Sequence, residues 1–305
     1  MLNTAVAFFV FNRPELTSQV FKQIQRAAPR QLFVIADGPR PDKADDVKLC
    51  AAVLELTQQI TWDCEVHTLI RSENIGCRNS IAQGLDWVFT FTDRCIILED
   101  DCWPELSFFT FCENLLQHYE NDVEVMTIGG CAPEQSEKIN QASYYFSRYP
   151  NVWGWATWKR TWDLVEPNLP NWDSLRSTDW LKKQLHHEQH QHFWQRTFDK
   201  MTELDTWDYA LVYACWLAGG LSVRPSQNLI KNIGFIDSAT HTKDPNHYLS
   251  RLSTLEMRFP LTHPLDKRPD QIIEDQIEWL LYSGINERKV SLARDAILRK
   301  RAGKI

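Results

Sequence analysis

The sequence lacks three features, and each absence argues against a class of protein. No uninterrupted apolar run among its 305 residues reaches the about 18 to 20 residues that a transmembrane helix needs. The formal net charge of −7 is not the basic excess with which proteins bind the phosphate backbone of nucleic acids. The eight cysteines form no CxxC pair and no zinc-finger spacing, which favours buried thiols in a reducing cytosol.

What is present over the first 130 residues is an alternation of short apolar runs with helical patterns. We expect strands at 5–11, 32–36, 66–70 and 95–98, and helices beginning at Pro14, over 43–60 and over 79–91. The run at 1–11 has no Lys or Arg before it, so we interpret it as a strand and not as a signal peptide. Short apolar strands separated by helices predict an α/β fold, with a mostly parallel central sheet flanked by helices.

Each predicted strand ends in a polar or turn segment. Arg13 follows the first strand, Asp37 the second, Arg71 the third and Glu99 the fourth. Ligand crevices in such sheets lie beyond the carboxyl ends of the strands. We therefore expect these segments to converge on one edge of the sheet.

The strongest local signal is the acidic triplet Glu99-Asp100-Asp101. Three adjacent carboxylates at the end of a buried strand repel one another and lose hydration unless a positive charge lies among them. Mg²⁺ and Mn²⁺ prefer oxygen ligands and also hold phosphates, so a divalent ion is one interpretation. The other is an exposed acidic turn that caps the helix beginning near Pro104.

Three weaker signals each allow a functional and a structural interpretation. Arg71 and Arg78 bracket a glycine turn that leads into a helix, as in a diphosphate or base site or in an ordinary loop. For Asp37, the functional interpretation is a hydrogen bond to a base or ribose, and the structural one is a turn residue. Asp208, which follows Trp207, is a general base beside an aromatic platform or a helix N-cap.

Tryptophan is concentrated in the second half, where nine of the 13 fall between Trp153 and Trp216. The broad apolar face of tryptophan suits the C–H face of a sugar ring as well as a hydrophobic core. Both interpretations stay open from the sequence alone.

Two charged segments fit the site less well. Residues 186–192 are rich in histidine but lack the His-Glu-x-x-His spacing of metalloproteases, which favours a solvated helix face. Residues 288–305 carry seven Lys or Arg and one Asp. That segment suits a solvated terminal helix or contact with an anionic membrane surface.

Together these motifs resemble the nucleotide-diphospho-sugar transferase superfamily with the Rossmann-like GT-A fold. The segment Asn12-Arg13-Pro14, followed by Asn74-Ile75-Gly76 and the acidic triplet, resembles the family-two bacterial glycosyltransferases. Four segments in order resemble the inverting N-acetylglucosaminyltransferase I family: the acidic triplet, residues 152–167, Trp207-Asp208 and residues 223–235. The resemblance is carried by motifs and spans residues 5–245.

The resemblance implies a metal and a nucleotide on the donor side. Asp101 would ligate Mn²⁺ or Mg²⁺, and His241 is a candidate second ligand or diphosphate contact, with a loop histidine of no such role as the alternative. Asp100 would bind the ribose, and Glu99 would contact the sugar or support the site.

The resemblance also implies contacts to the base and to the acceptor. Asp37 would read the uracil edge, while Arg13 and Arg78 would face the nucleotide. Asp208 would be the general base that removes the acceptor proton. Aromatic side chains would pack on the acceptor sugar, namely Trp153, Trp155 and Trp207.

These roles imply an inverting, divalent-metal-dependent glycosyltransferase, of the hexosyl or N-acetylhexosaminyl type, that uses a UDP-sugar donor. The class of acceptor stays open among a glycan, a lipid-linked sugar and a protein. The alternatives are a non-catalytic sugar or sugar-nucleotide binding protein and a sugar nucleotidyltransferase. The nucleotidyltransferase normally has a glycine-rich loop after the first strand, and residues 11–15 contain no glycine.

The expected organisation is one GT-A domain over 1–245. Its nucleotide-binding half covers 1–130 and its elaborated acceptor-side half covers 131–245, and a C-terminal helical extension follows over 246–305. We expect a cytoplasmic protein that binds no nucleic acid, with peripheral contact at the inner membrane surface as the alternative for its basic C-terminal segment.

Overall fold

The computed structural model describes residues 1–133, 142–235 and 248–282, and the fold below refers to these ranges. The first half alternates strand and helix as predicted. Its elements are β1 (Ala5–Val10), α1 (Pro14–Ala27), β2 (Gln31–Ala36), α2 (Ala44–Thr57), β3 (Glu65–Ile70), α3 (Cys77–Val88) and β4 (Arg94–Glu99). The four predicted strands agree with these bounds to within one residue at each end.

The second half is more mixed. Its strands are β5 (Cys102–Pro104), β6 (Val125–Gly129), β7 (Tyr144–Ser147), β8 (Trp155–Trp158), β9 (Leu221–Pro225) and β10 (Ile230–Asn232). Its helices are α4 (Ser107–His118), α5 (Lys159–Trp162), α6 (Trp172–Leu175), α7 (Trp180–Gln184), α8 (Glu188–Asp199), α9 (Asp208–Leu217) and α10 (Gln271–Tyr282). Over the described ranges, no helix combines the length and apolar character that crossing a membrane requires.

Eight strands form one sheet in the order β3-β2-β1-β4-β8-β6-β9-β7. Neighbours from β3 to β4 are parallel, and so are β6 and β9. β8 is antiparallel to both β4 and β6, and β7 is antiparallel to β9. The predicted α/β architecture, a mostly parallel sheet flanked by helices, is confirmed. The antiparallel strands β7 and β8 were not predicted.

The alternation of side chains along the central strands separates two hydrophobic cores. Val6, Phe8 and Val10 of β1 belong to the core that also contains the apolar faces of α1 and α4. Phe9, on the opposite face of the same strand, packs in the core that α3 and α9 cover. This division follows from the period of two along a strand.

The inner face of α2 is narrow. Val47 is 64% exposed, whereas Cys50 and Val53 are buried. The apolar residues of this helix lie on several sides, so their spacing did not specify its rotation.

Tryptophan mainly fills cores. Seven of the nine between Trp153 and Trp216 are buried, and Trp153 and Trp180 are half-buried. Four of these tryptophans line a third core formed by α6 to α10. Helix α9 contributes buried apolar residues to both the second and the third core. A helix that is apolar all round is a buried helix, which explains why the structural interpretation of this composition prevails.

Three expectations are not settled by the fold. His241 and residues 288–305 lie outside the described residues. The boundary at residue 245 stays a prediction. Beyond it, α10 contributes Ile273 and Ile277 to the third core.

No disulfide joins any of the eight cysteines, all of which lie within the described ranges, and six of them are buried.

The close contact of α3 with the sheet gives a stability prediction. A Cβ added at Gly84 would lie 2.5 Å from the Phe9 ring and 3.1 Å from Ile35. Gly84→Ala should therefore lower the free energy of unfolding by about 1–3 kcal/mol through overpacking, although alanine is the better helix former by about 1 kcal/mol. Urea denaturation measures this. The control Gln83→Ala, at an exposed position of the same helix, should stay within about 0.5 kcal/mol of wild type. A Gly84→Ala variant more stable than wild type would contradict the packing.

Candidate functional site

The carboxyl ends of the parallel strands meet at one edge of the sheet, as predicted. Arg13 follows β1, Asp37 follows β2, and Glu99 is the last residue of β4. β8 is antiparallel to β4 with Trp155 opposite Ile97, so Trp153, two residues before β8, precedes that strand at the same edge of the sheet. The structure thus collects residues from four neighbouring strands at this edge.

Arg13 is the positive charge that lies among the carboxylates of the triplet. Its guanidinium donates Nε–H to Asp100 Oδ2 at 3.3 Å, Nη2–H to Asp100 Oδ1 and Nη1–H to Asp101 Oδ2 at 3.0 Å. Burial opposes the charged form, but Asp100 and Asp101 raise the pKa of Arg13 above its usual value. The contact of Arg13 with the nucleotide stays a prediction, and its guanidinium is engaged by the triplet itself.

One guanidinium does not neutralise three carboxylates. Asp100 is 2% exposed, and Glu99 beside it is half-buried. Burial is the main cause that raises the pKa of Glu99 to about 8. The negative charges of Asp101, Asp100 and Asp208 also raise this pKa, whereas Arg13 lowers it. The end of β4 is therefore a place where additional positive charge is stabilised.

The chain after β10 closes over Asp101. β10 pairs antiparallel with β5, and Ile233 N–H donates to the Asp101 carbonyl at 2.8 Å. A Cβ at Gly234 would lie 2.5 Å from Asp101 Oδ2, so only glycine fits there. The segment 223–235 was part of the resemblance, but its spacing did not reveal this contact.

Asp208 lies within electrostatic range of the triplet. It is the first residue of α9 and accepts a hydrogen bond from Thr206 Oγ1. Its charge contributes to the raised pKa of Glu99. Burial raises the pKa of the Cys77 thiol, and the nearby charges that add to this effect are those of Glu99, Asp205, Asp208 and Asp101. Cys77 therefore marks a point surrounded by carboxylates from both sides.

Two of the three predicted acceptor contacts are core residues. Trp155 is 1% exposed and Trp207 is 4% exposed, and their rings stack with centroids 5.3 Å apart. Burial corrects the expectation that they pack on a sugar, because neither ring has an open face. They instead fix the start of α9 against the sheet. Trp153 is half-buried and meets Phe235 edge-on at 5.9 Å, so it alone of the three keeps exposed surface.

The helix N-terminus expected to hold a diphosphate is occupied by a carboxylate of the protein. Asp205 accepts the backbone N–H groups of Cys77 at 3.1 Å and Arg78 at 2.9 Å. The Arg78 guanidinium turns toward the carbonyl oxygens of Met201 and Thr202, at 3.3 and 3.4 Å. The contact of Arg78 with the nucleotide stays a prediction. Asp205 was missed, and its only sequence signal is its position three residues before Asp208.

Asp37 connects two loops at this edge. It is 8% exposed and accepts hydrogen bonds from Gly38 N–H, Ile75 N–H and Asn74 Nδ2 at 2.9 to 3.1 Å. Burial raises its pKa, opposed by these donors and by Arg71. Its carboxylate is thus engaged by the protein. Arg71 Nη1, by contrast, is buried with no hydrogen-bond partner among the described residues and is a donor available to a ligand.

Asp46 of α2 stabilises two loops at the same edge of the sheet. It accepts Asn12 Nδ2–H at 2.7 Å and Arg40 Nε–H at 2.7 Å, which joins the loops after β1 and β2. The hydrogen bond from Arg40 lowers the pKa of Asp46 to about 2. Burial opposes this shift, and the hydrogen bond from Asn12 adds to it. This carboxylate is a structural support and not a site residue.

One cavity lies away from this edge of the sheet. It measures about 530 Å³ and is lined by Asp93, Lys159 and Trp162 among others. It lies where α3 ends and β4 begins, at the amino end of that strand. The candidate site is therefore assigned on its chemistry and not on cavity size.

Comparison with known proteins gives little. No protein-family model matches the chain, and no curated protein matches it. Three of the solved structures to which the chain is similar are the following. A UDP-glucose pyrophosphorylase complexed with UDP-glucose has 8% identity and a TM-score of 0.33, over 53% of this chain and 79% of that one. A UTP-bound UGPase from Acinetobacter baumannii has 10% identity and a TM-score of 0.37, over 76% and 89%. An apo UDP-glucose pyrophosphorylase has 7% identity and a TM-score of 0.37, over 73% and 90%. Similarities this low identify no family.

The support that Asp46 gives to the site loops should depend on pH. Its pKa is lower in the folded chain than the about 4 of an unfolded aspartate. The stability it adds is therefore present above about pH 4 and lost as the pH falls toward 2. Asp46→Asn should be less stable than wild type at pH 7, with the difference shrinking below pH 4. Urea denaturation from pH 7 to pH 2.5 measures this. Asp45→Asn, an exposed neighbour, serves as the control, and a pH-independent loss in Asp46→Asn would contradict the assignment.

Proposed function

We propose that this chain is an inverting, divalent-metal-dependent glycosyltransferase that moves a sugar from a UDP-sugar to an acceptor hydroxyl. The observation that supports the proposal is the proximity of Asp208 to the acidic triplet and its one arginine. The Asp208 charge is near enough to contribute to the raised pKa of Glu99.

The charge of the triplet fits a divalent ion. When ionised, three carboxylates and the Arg13 guanidinium leave a formal charge of −2, which Mn²⁺ or Mg²⁺ would offset. Asp101 is 17% exposed, and its Oδ1 has the Cys102 thiol, at 3.5 Å, as its hydrogen-bonding neighbour. Asp101 is therefore the carboxylate best placed to ligate the ion. Such an ion would hold the donor diphosphate and neutralise the negative charge that develops on the leaving group.

Asp208 has the geometry of a general base on a rigid element. α9 is buried between two cores, and the Trp207–Trp155 stack holds its first turn. The Thr206 hydroxyl orients the carboxylate. A single base that takes the proton of the acceptor hydroxyl, opposite the departing diphosphate, gives inversion at the anomeric carbon in one step. Trp153 is the aromatic residue at this edge that could contact the acceptor.

A sugar nucleotidyltransferase is the second candidate. The similar structures described above are UDP-glucose pyrophosphorylases and a UGPase. Their TM-scores carry no argument for this chain. The loop after β1 contains Arg13, as a nucleotidyltransferase loop would, but this arginine is bound to the triplet and the loop has no glycine. Incubation with UTP and a sugar 1-phosphate separates the two, because only the nucleotidyltransferase releases pyrophosphate.

The metal role of Asp101 gives the first test. Asp101→Ala should abolish the Mn²⁺-dependent binding of UDP, because the ion that joins the triplet to the diphosphate loses its ligand. Calorimetric titration of UDP with and without Mn²⁺ measures this. The control is Asp93→Asn, which removes an exposed carboxylate just before the opposite end of β4. Unchanged UDP affinity of Asp101→Ala in Mn²⁺ would exclude the role.

The base role of Asp208 gives the second. Asp208→Asn should keep Mn²⁺-dependent UDP binding but lower sugar transfer, or slow hydrolysis of a UDP-sugar, by about 10²-fold or more. The substrate is the UDP-sugar that most raises the melting temperature in a panel. Asp163→Asn, at an exposed ion pair with Lys159, should retain wild-type turnover. Near-normal turnover in Asp208→Asn would place the base elsewhere.

A further inference from the structure

One residue of the histidine-rich segment departs from the expected solvated helix face. His190 of α8 and Glu278 of α10 are both 0% exposed, and His190 Nδ1 lies 2.5 Å from Glu278 Oε2. The Tyr149 hydroxyl donates to Glu278 Oε1 at 2.6 Å. His186, Glu188, Gln189 and His192 are exposed as expected, whereas the two helices meet through buried polar groups at His190.

A second pair of residues extends this contact toward the surface. His187 Nε2 lies 3.7 Å from Asp275 Oδ1, with side chains 40% and 24% exposed. One ligand atom each from His187, Asp275 and Glu278 all lie within 4.8 Å of one another. The cluster is thus open to solvent on the His187 side and closed on the Glu278 side.

The cluster is short of positive charge. Arg148 is the nearby arginine, and its Nε–H is bound to Glu274 Oε2 at 3.0 Å. Within the described residues, the ion-pair contacts of Asp275 and Glu278 are to His187 and His190, respectively. Burial opposes ionisation of Glu278, but hydrogen bonds from His190 and Tyr149 hold its pKa below its usual value. Two carboxylates therefore face neutral or weakly basic partners.

We propose that His187, Asp275 and Glu278 bind one Zn²⁺ ion that joins α8 to α10. Imidazole nitrogen and carboxylate oxygen are both zinc ligands, and three protein ligands leave a fourth position for water. The two carboxylates would balance the charge of the ion. His190 is a positioning residue, because its hydrogen bond fixes the orientation of the Glu278 carboxylate. Its Nε2 atom is buried with no hydrogen-bond partner among the described residues.

Binding requires only a small rearrangement. Ligand atoms around a tetrahedral zinc ion lie about 3.3 Å apart, since the bonds are about 2.0–2.1 Å long. The 4.8 Å spread must therefore contract. His187 and Asp275 are partly exposed and can rotate toward the ion, while Glu278 is fixed by Tyr149 and His190. The site is independent of the acidic triplet, whose ligands are oxygen atoms only and suit Mg²⁺ or Mn²⁺ better.

Metal titration of the full chain tests the proposal. The Asp101→Asn background removes a ligand of the triplet from the measurement. Chelator-treated protein is titrated with ZnCl₂ by calorimetry and with CoCl₂ by visible absorption, which reports ligand geometry. We expect one Zn²⁺ per chain, a raised melting temperature on zinc addition, and an affinity weakened at least about 100-fold in His187→Ala and in Asp275→Asn.

The matched control is His192→Ala, which removes an exposed histidine of the same helix and should bind zinc as the background does. The melting temperatures of the metal-free variants establish that each is folded. Failure of the background to bind one equivalent, or equal zinc affinity in His187→Ala and His192→Ala, would overturn the site. These results do not depend on UDP binding or transfer, so the proposal fails or stands separately from the proposed function.

Discussion

The ion pair between Arg13 and the carboxylates of Asp100 and Asp101 is the interaction on which the site depends. β4 lies between β1 and β8, so a carboxylate at its end cannot turn away from the sheet without losing the strand pairing. The neighbouring strand supplies the compensating charge, because Arg13 is in the loop directly after β1. That loop is in turn held by Asp46 through Asn12. Charge balance at one strand end therefore constrains two loops and the start of α1.

One short segment near the triplet serves two purposes. Asp205 caps the N-terminus of α3 by accepting two of its backbone N–H groups, and Asp208 begins α9 three residues later. The first carboxylate joins the segment to α3, and the charge of the second contributes to the raised pKa of Glu99. Since α9 is buried on all sides, the position of Asp208 is set by the packing of Trp207 and does not depend on a flexible loop.

Local pattern was sufficient for the four parallel strands β1 to β4 and for the edge at which their carboxyl ends meet, because apolar runs bounded by polar turns specify both. It failed where a partner is distant in sequence. The carboxylate at the Arg78 amide comes from 127 residues away, and Glu278 lies 88 residues from His190. It also failed for Trp155 and Trp207, since the composition of an aromatic cluster is the same on a sugar-binding surface and in a core.

The two acidic clusters differ in how their charge is balanced, and this difference has chemical consequences. At the end of β4, an arginine neutralises part of the charge and all candidate ligands within the described residues are oxygen atoms, which favours a hard ion that also binds phosphate. Between α8 and α10, the arginine is already bound to Glu274, and imidazole groups stand beside the carboxylates. Nitrogen ligands shift the preference toward zinc. Ligand chemistry alone would thus let one chain hold two different metals, one at the site of group transfer and one between helices.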